Sequence, residues 1–197
     1  RWPLIELSRL CEVAIGRQRS PKHADGDHMI PYIRAANVKD GRLEVADVLR
    51  MNFTEDEQLR FGLRHGDVLV TEGCGSPLEL GASAQWRDDL PGVVGFQNHV
   101  LRLRSVENIS DSDFLLAVAR WCHHGLRWLE ASSGTSILNI SLGRAQKVLV
   151  PAPPFATQRA IGAVLRSFDE AIEINERRIE VLEDVARSLY REWFVRF

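Results

Sequence analysis

The sequence has few cysteines and no long apolar runs. Its three cysteines, Cys11, Cys74 and Cys122, are an odd number without close pairing, which argues against a secreted scaffold held by disulfides and fits a reducing compartment. No apolar stretch approaches the ~18 residues that a membrane span needs, and no basic segment leads into an apolar run as in a secretory leader. We therefore expect a cytoplasmic protein with no membrane partner.

A strong charge of either sign is also missing. The formal net charge is −2, from 25 basic and 27 acidic residues, so the overall charge does not indicate a nucleic-acid partner, and any such surface has to be a local patch. Only Lys22, Lys39 and Lys147 are lysines, and the other basic residues are arginines. The planar guanidinium group suits bidentate contacts with phosphate and guanine, although genome composition explains the same bias.

The order of apolar and polar residues predicts an α+β fold. Short β-prone runs alternate with turn signals such as Lys39-Asp40-Gly41, and capping residues precede two helical segments. The predicted strands are 29–38, 43–48, 68–71, 99–104, 137–140 and 147–150, and the predicted helices are 55–61 and 114–131. Prolines at positions 151, 153 and 154 end the sheet, so we expect a domain over 1–152 and a helical segment over 153–197.

A stripe of apolar residues follows these prolines, in steps that alternate between four and three residues. Its members are Ile161, Leu165, Phe168, Ile172, Asn175, Ile179, Leu182, Ala186, Leu189 and Trp193. A mean spacing of 3.5 residues is typical of a left-handed coiled coil, and the polar Asn175 would fix register or orientation. We predict a helix from Phe155 onwards, about 60 Å long at about 1.5 Å per residue, that pairs with another helix. Packing on its own domain is the alternative.

Several segments resemble the specificity subunits of Type I restriction-modification enzymes. The most specific is 148–175, where a proline-rich strand exit and the Gln158-Arg159 pair lead into a long helix that continues past Phe168. Upstream segments that are also similar are 7–13, 30–34, 66–70 and 134–137. The resemblance implies a mixed-sheet target-recognition domain over 1–152, followed by a coiled-coil helix over 153–197 that dimerises and docks methyltransferase subunits.

The resemblance also implies a function without catalysis by this chain. The domain would read one half-site of a two-part sequence in double-stranded DNA, and partner methyltransferase and restriction (translocase) subunits would methylate or cleave. S-adenosylmethionine would bind the methyltransferase subunit, so no cofactor is expected here. Family members usually carry two recognition domains and two helices. A chain with one of each is either a half-length subunit that restores the pair by homodimerising or half of a longer protein.

Polar loops supply the candidate DNA contacts, because base edges are read by Arg, Asn, Gln, Ser and Thr, and phosphates are held by Arg, Lys and backbone amides. The candidates are Arg17, Gln18, Arg19, Lys22, Arg34, Asn37, Lys39, Gln97, Asn98, His99, Ser133, Thr135 and Ser136, with Gly73 and Gly75 allowing close approach of the backbone. Polar residues between strands are also commonly just solvated loops.

Other chemistries have weaker support. Ala152-Pro-Pro-Phe155 is similar to an adenine methyltransferase tetrad but lacks its amide, and no glycine-rich loop opens a Rossmann-type helix. Cys122-His123-His124 crowds three potential metal ligands together without a second ligand pair at suitable spacing, so we expect no metal. Two alternatives remain: a Cys74-dependent enzyme, and an assembly module that binds protein through the helix.

Overall fold

The computed structural model describes residues 2–74, 79–134 and 138–195, and it has the predicted α+β architecture. Its strands are β1 (Leu4–Glu6), β2 (Cys11–Ile15), β3 (Met29–Ile33), β4 (Val38–Lys39), β5 (Arg42–Leu43), β6 (Leu49–Asn52), β7 (Val68–Thr71), β8 (Gly73–Cys74), β9 (Ser83–Gln85), β10 (Gly95–Phe96), β11 (Val100–Ser105), β12 (Ser132–Ser133), β13 (Leu138–Ile140) and β14 (Leu149–Pro151). Its α-helices are α1 (Leu7–Leu10), α2 (Glu55–Phe61), α3 (Ser112–His124), α4 (Leu142–Ala145) and α5 (Phe155–Phe194).

A four-stranded antiparallel sheet in the order β2-β11-β7-β9 forms the centre of the domain. On one face, Val68 of β7 packs in a core cluster with the buried side of α3. On the other face, Leu69 packs in a second cluster with Trp86 and Phe96. Because both faces are covered, all four residues of β7 are buried, as expected for a continuous apolar strand. The predicted strand 68–71 is confirmed by β7, and the predicted helix 55–61 by α2, each with the same first and last residue.

A second sheet, β10-β3-β6, makes the fold mixed, because β3 runs parallel to β10 and antiparallel to β6. The predicted strand over 43–48 is wrong, since β5 ends at its first residue and β6 begins after its last. Asn37 holds this segment as a loop: its buried amide nitrogen donates to the carbonyl oxygens of Glu44 (2.8 Å) and Asp47 (3.1 Å). Such side chain–backbone bonds compete with strand pairing.

Helix α3 ends earlier than the predicted 114–131. Asp111 caps its start, accepting a hydrogen bond from the amide of Phe114 at 3.0 Å. After the helix, Leu126 adopts a left-handed conformation with φ of 54° and reverses the chain. This reversal buries Trp128, whose indole Nε1 donates to the carbonyl oxygen of Ala119 at 3.3 Å. Burial of a large aromatic side chain therefore overrides the helical propensity of the last predicted turns.

Helix α5 is joined to the domain through Gln158, which is buried. The side-chain oxygen of Gln158 accepts a hydrogen bond from the amide of Asp111 (3.2 Å), and its nitrogen donates to the carbonyl oxygens of Ile109 (3.0 Å) and Pro153 (3.0 Å). One turn later, a Cβ added to Gly162 would lie 2.7 Å from Asp111 Oδ1. The backbone of α5 thus lies directly against the first turn of α3.

Helix α5 is longer than the part of it that forms ion pairs with the domain. Its 40 residues span about 60 Å, and ion pairs hold its first half along the domain: Asp169 with Arg120 at 3.0 Å and Glu173 with Arg87 at 3.7 Å. Every residue from 177 to 195 is exposed. Arg177 and Glu180 still border a groove together with Arg42 of the domain, and the helix continues beyond this groove. Within the described ranges, no helix combines the length and hydropathy that a membrane crossing requires.

Replacing Gln158 by alanine tests the joint between α5 and the domain. The variant leaves one backbone donor and two backbone acceptors of the domain without this partner, so we expect the free energy of unfolding to fall by about 3 kcal/mol. Arg159→Ala is the matched control, because its side chain is exposed and should change stability by less than about 0.5 kcal/mol. Urea unfolding followed by circular dichroism measures both, and equal losses would contradict the assignment of the joint to Gln158.

Candidate nucleic-acid interface

Several polar loops meet at one edge of the central sheet. Strands β2 and β7 both end there and β11 begins there, with Leu101 opposite Ile15 and Val100 opposite Thr71. Backbone hydrogen bonds join the loops: the amide of Asn98 donates to the carbonyl oxygen of Arg17 at 3.0 Å, and further bonds tie Gln97 to Ile33 and Glu72 to His99. We call the polar residues at and beside this edge, within 16–22, 34–39, 50, 72–73, 97–99 and 139, the loop edge. Antiparallel pairing thus brings together segments that are far apart in sequence.

Arg17 holds the loop edge together from inside. Its side chain is only 8% exposed, and its Nε lies 2.8 Å from Glu57 Oε1. The guanidinium also donates to the carbonyl oxygen of Asn52 and lies 4.9 Å from the centre of the Phe53 ring, a cation–π distance. Because these partners occupy its donors, we leave Arg17 out of the DNA contacts proposed below and assign it to positioning the following residues.

The residues that follow Arg17 point outward. Gln18, Arg19 and Lys22 are exposed, and Arg19 lines an open cavity of about 570 Å³ together with Arg50. Arg50 is a further basic residue at this cavity, and in the sequence it lies between the predicted strand 43–48 and the predicted helix 55–61, outside the candidate loops. Its guanidinium donates to the carbonyl oxygen of Met29 at 2.6 Å while the residue stays exposed. The outward cations of this edge are therefore Arg19, Lys22 and Arg50.

The second group of candidates lies between Arg34 and Lys39. Some of its side chains bind within the domain, and others are exposed. Arg34 donates to the carbonyl oxygen of Asp47 (2.8 Å) and to its carboxylate (3.1 Å). Asn37 is buried, and its side chain accepts from the backbone amide of Arg34 at 3.0 Å. Lys39 is exposed and lies 3.8 Å from Glu44. Asn37 consequently builds the loop, and Lys39 is the member of this group with the freest charge.

The third group lies at the start of β11. The side chains of Gln97 and Asn98 are partly exposed, whereas the exposed His99 has Nδ1 3.2 Å from Glu72 Oε2. A Cβ on Gly73 would lie 2.4 Å from Asn139 Oδ1, so this glycine admits the Asn139 side chain. Glu72 and Asn139 are edge residues that the sequence did not single out, because only strand pairing brings them here.

The remaining candidates lie in a serine-rich turn and a glycine-rich loop. Ser133 is exposed in β12, which pairs with β13. Gly75, Thr135 and Ser136 lie outside the described residues, as does the side chain of Cys74. Burial raises the pKa of the Cys11 and Cys122 thiols to about 12. Neither buried thiol is therefore available as a thiolate near neutral pH.

Internal ion pairs account for part of the arginine excess. Arg104 forms a bidentate pair with the buried Asp67, with both nitrogen–oxygen distances at 2.7 Å. Arg102 is buried beside Phe96 and lies 2.5 Å from Glu12 Oε1. Desolvation lowers the pKa of Arg102 and outweighs the raising effect of Glu12. These arginines stabilise the sheet and are unavailable to an external ligand.

The apolar stripe of α5 is exposed along most of its length. Ile161 is the exception, because it packs against the main core cluster. The large members that are exposed are Leu165, Phe168, Ile172, Ile179, Leu182, Leu189 and Trp193, and Val164, Ile174, Val181 and Val185 widen this apolar surface. Asn175 and Ala186 are also exposed. An uncovered apolar surface of this extent is typical of a protein–protein interface.

The family model for the Type I restriction modification DNA specificity domain matches residues 1–184. The chain belongs to this family. The match covers both the globular part and most of α5, so the domain and its helix form one family unit.

Named relatives share the same family but are longer. Over its full length the chain is 25% identical to the Type I restriction enzyme MjaIX specificity subunit of Methanocaldococcus jannaschii, and it covers 44% of that protein. Over 82% of its length it is 23% identical to the Type I restriction enzyme EcoKI specificity subunit of Escherichia coli K12, covering 34% of that protein. The chain therefore spans less than half of the curated relatives that it matches.

Solved structures show the same fold. The Type I restriction-modification S subunit from M. genitalium superposes with a TM-score of 0.64 at 16% identity, over 98% of this chain and 45% of that one. The HsdS subunit from Thermoanaerobacter tengcongensis gives a TM-score of 0.59 at 19% identity, over 90% of this chain and 39% of that one. The arrangement of mixed sheets followed by a long helix is thus the fold of specificity subunits.

Replacing Arg17 by methionine tests its role inside the loop edge. Methionine keeps much of the apolar packing but leaves Glu57 and the Asn52 carbonyl without their partner, so we expect a loss of about 2–3 kcal/mol in the free energy of unfolding. Amide hydrogen exchange over residues 16–22 should become faster. Arg19→Met is the control, since Arg19 is exposed. A larger loss in the control than in Arg17→Met would show that Arg17 is not the internal support.

Proposed function

We propose that this chain recognises one half-site of a two-part sequence in double-stranded DNA, as the reading unit of a Type I restriction-modification enzyme. The observation that carries the proposal is the family match over 1–184, which includes the loop edge and the helix in one unit. The proposal assigns no chemistry to the chain itself. Methylation and cleavage belong to partner methyltransferase and restriction (translocase) subunits, and S-adenosylmethionine belongs to the methyltransferase subunit.

The loop edge is the proposed DNA-reading surface. Arg19, Lys22 and Lys39 supply exposed charges for phosphates, and Gln18, Gln97 and Asn98 supply groups that can both donate to and accept from base edges. Further proposed contacts are Arg34, Arg50, His99 and Ser133, with Gly75, Thr135 and Ser136 as sequence candidates in the neighbouring loops. The local concentration of exposed cations supports this surface even though the whole chain carries a net charge of −2.

The helix is the proposed assembly element. We propose a globular domain over 1–152 and a helical segment over 153–197, with the exposed stripe from Leu165 to Trp193 pairing with a second helix. The second helix is either that of another copy, which gives a homodimer that reads a symmetric target, or a corresponding helix of a longer protein. The wider apolar surface leaves room for methyltransferase subunits beside the pair.

A protein-binding assembly module is the second candidate, because the same exposed stripe would serve it, but the family match does not favour it.

Salt-dependent binding to DNA separates these candidates. With a random-sequence duplex, we expect the affinity to fall steeply with salt, and Arg19→Ala and Lys22→Ala each to reduce the slope of log K against log salt by about 1. Arg64→Ala is the matched control, because Arg64 is exposed in the turn before β7, at the end of that strand opposite the loop edge. Fluorescence anisotropy measures the affinities. Equal effects of all three substitutions, or binding without salt dependence, would favour the assembly module.

The pairing of α5 is tested by charges placed in its stripe. Ile172→Glu combined with Ile179→Glu should convert a dimer into a folded monomer, because two buried, unpaired carboxylates cost several kcal/mol, roughly 2–3 each. Arg191→Glu is the control: Arg191 is exposed and lies midway between Leu189 and Trp193, on the face away from the stripe, so the same change in net charge should leave the mass unchanged. Light scattering at several concentrations gives the masses. A monomeric unmodified chain would remove the homodimer and with it the expectation of a symmetric site.

A further inference from the structure

Three side chains with metal-ligand chemistry meet behind the loop edge. One ring nitrogen of His123, one of His124 and a carboxylate oxygen of Asp40 all lie within 4.8 Å of one another. His123 and His124 end α3, and Asp40 lies in the tight turn between β4 and β5. Two imidazoles and one carboxylate form a nitrogen and oxygen set that binds Zn²⁺ and similar transition cations. The histidines alone gave too few ligands in sequence, and the fold supplies the third.

The buried His123 is held in the state that a metal ligand needs. Its Nδ1 lies 2.8 Å from the carbonyl oxygen of Leu80. Because a carbonyl oxygen can only accept, Nδ1 carries the proton and donates, which leaves the lone pair of the neutral ring on Nε2. A hydrogen bond from the second ring nitrogen to a backbone carbonyl is the usual support of a metal-binding histidine, fixing both its tautomer and its orientation.

Asp40 is oriented by Arg120, whose charge is partly neutralised by a second acidic residue. Its Oδ1 lies 3.3 Å from Arg120 Nε, and its Oδ2 lies 3.1 Å from His124 Nε2. Arg120 also pairs with Asp169 of α5 at 3.0 Å. The guanidinium therefore holds one carboxylate oxygen, and the other faces the imidazole. The second acidic partner reduces the repulsion that Arg120 would exert on a cation.

The neighbouring space can admit the remaining ligand. A cavity of about 450 Å³ is lined by Asp40, His123 and Thr71. A tetrahedral cation with three protein ligands keeps a fourth position for water or another oxygen ligand, and this cavity gives water access. We propose that Asp40, His123 and His124 form a binding site for a divalent transition cation of the Zn²⁺ class.

The location gives the cation a structural role. It would connect the end of α3 to the β4–β5 turn, directly after Lys39, a proposed phosphate contact. A cation bound only by the folded chain stabilises the folded state by an amount that grows with the logarithm of its concentration once this exceeds the dissociation constant. Metal binding would thus fix the hairpin that carries Lys39 relative to α3 and, through Arg120 and Asp169, relative to α5. This inference does not depend on DNA binding.

The test uses the full chain after removal of metals with a chelator and dialysis. We expect Zn²⁺ to bind with one equivalent by calorimetry, to raise the melting temperature, and Co²⁺ to give visible absorption of a site with nitrogen and oxygen ligands. Asp40→Asn and His124→Ala should each weaken Zn²⁺ binding at least tenfold and abolish the thermal shift. Both residues are exposed, so circular dichroism should show that the variants fold.

His65→Ala is the matched control for a simple histidine–aspartate pair. His65 Nδ1 lies 3.0 Å from Asp88 Oδ2, and the pair is not part of the Asp40 cluster. This variant should bind Zn²⁺ as the unmodified chain does. The proposal would be overturned if binding does not saturate up to 1 mM Zn²⁺, a dissociation constant that corresponds to a binding free energy of about 4 kcal/mol. Equal loss in His65→Ala would also overturn it, as would Co²⁺ absorption of the thiolate type that disappears in Cys74→Ala.

Discussion

The buried amide of Gln158 is the interaction on which the arrangement of this molecule depends. It binds three backbone groups from the start of α3, its preceding loop and the strand exit, so the first turn of α5 is a fixed part of the domain. Gly162 then allows the two helices to touch without a side chain between them. The direction of the projecting half of α5 follows from this contact. The proposed function, in which the loop edge reads DNA at a fixed angle to a paired helix, would require a rigid joint of this kind.

The loop edge contains buried residues that support it and exposed residues that we propose to contact DNA. Arg17 and Asn37 carry functional groups suited to DNA, yet both are buried and bound within the domain. Their neighbours Arg19 and Lys39 are exposed. A buried arginine that is already paired with an acid gains little from a phosphate and would leave that acid unpaired if it moved. Alternation between an inward support and an outward charge therefore gives a preorganised edge, which lowers the entropic cost of binding.

The elements that were predicted correctly are those that short-range sequence patterns specify. Helix 55–61 follows from the Thr54 cap and strand 68–71 from its apolar run, and the spacing from Ile161 onwards predicted the long helix. The predicted strand over 43–48 is wrong because the side chain of Asn37 binds the carbonyl oxygens of Glu44 and Asp47, a contact that no strand pattern reveals. The candidate loops were found, but their division into buried and exposed members depends on long-range pairing. Asp40 and His123 likewise meet only through the fold, so no spacing rule could join them.

The exposed half of α5 gives the strongest physical argument that the chain acts with a partner. From 177 to 195 every residue is exposed, so this half buries little surface against the domain, and helices with few tertiary contacts are marginal in water. Its stripe nevertheless keeps a 3.5-residue spacing, which a solvated helix does not need. Asn175 sits at the level where the domain contacts end, between Glu173 and Glu176, both paired to the domain. In a paired seam its amide would find a partner only in one register, so the residue that interrupts the apolar stripe is also the one that can align it.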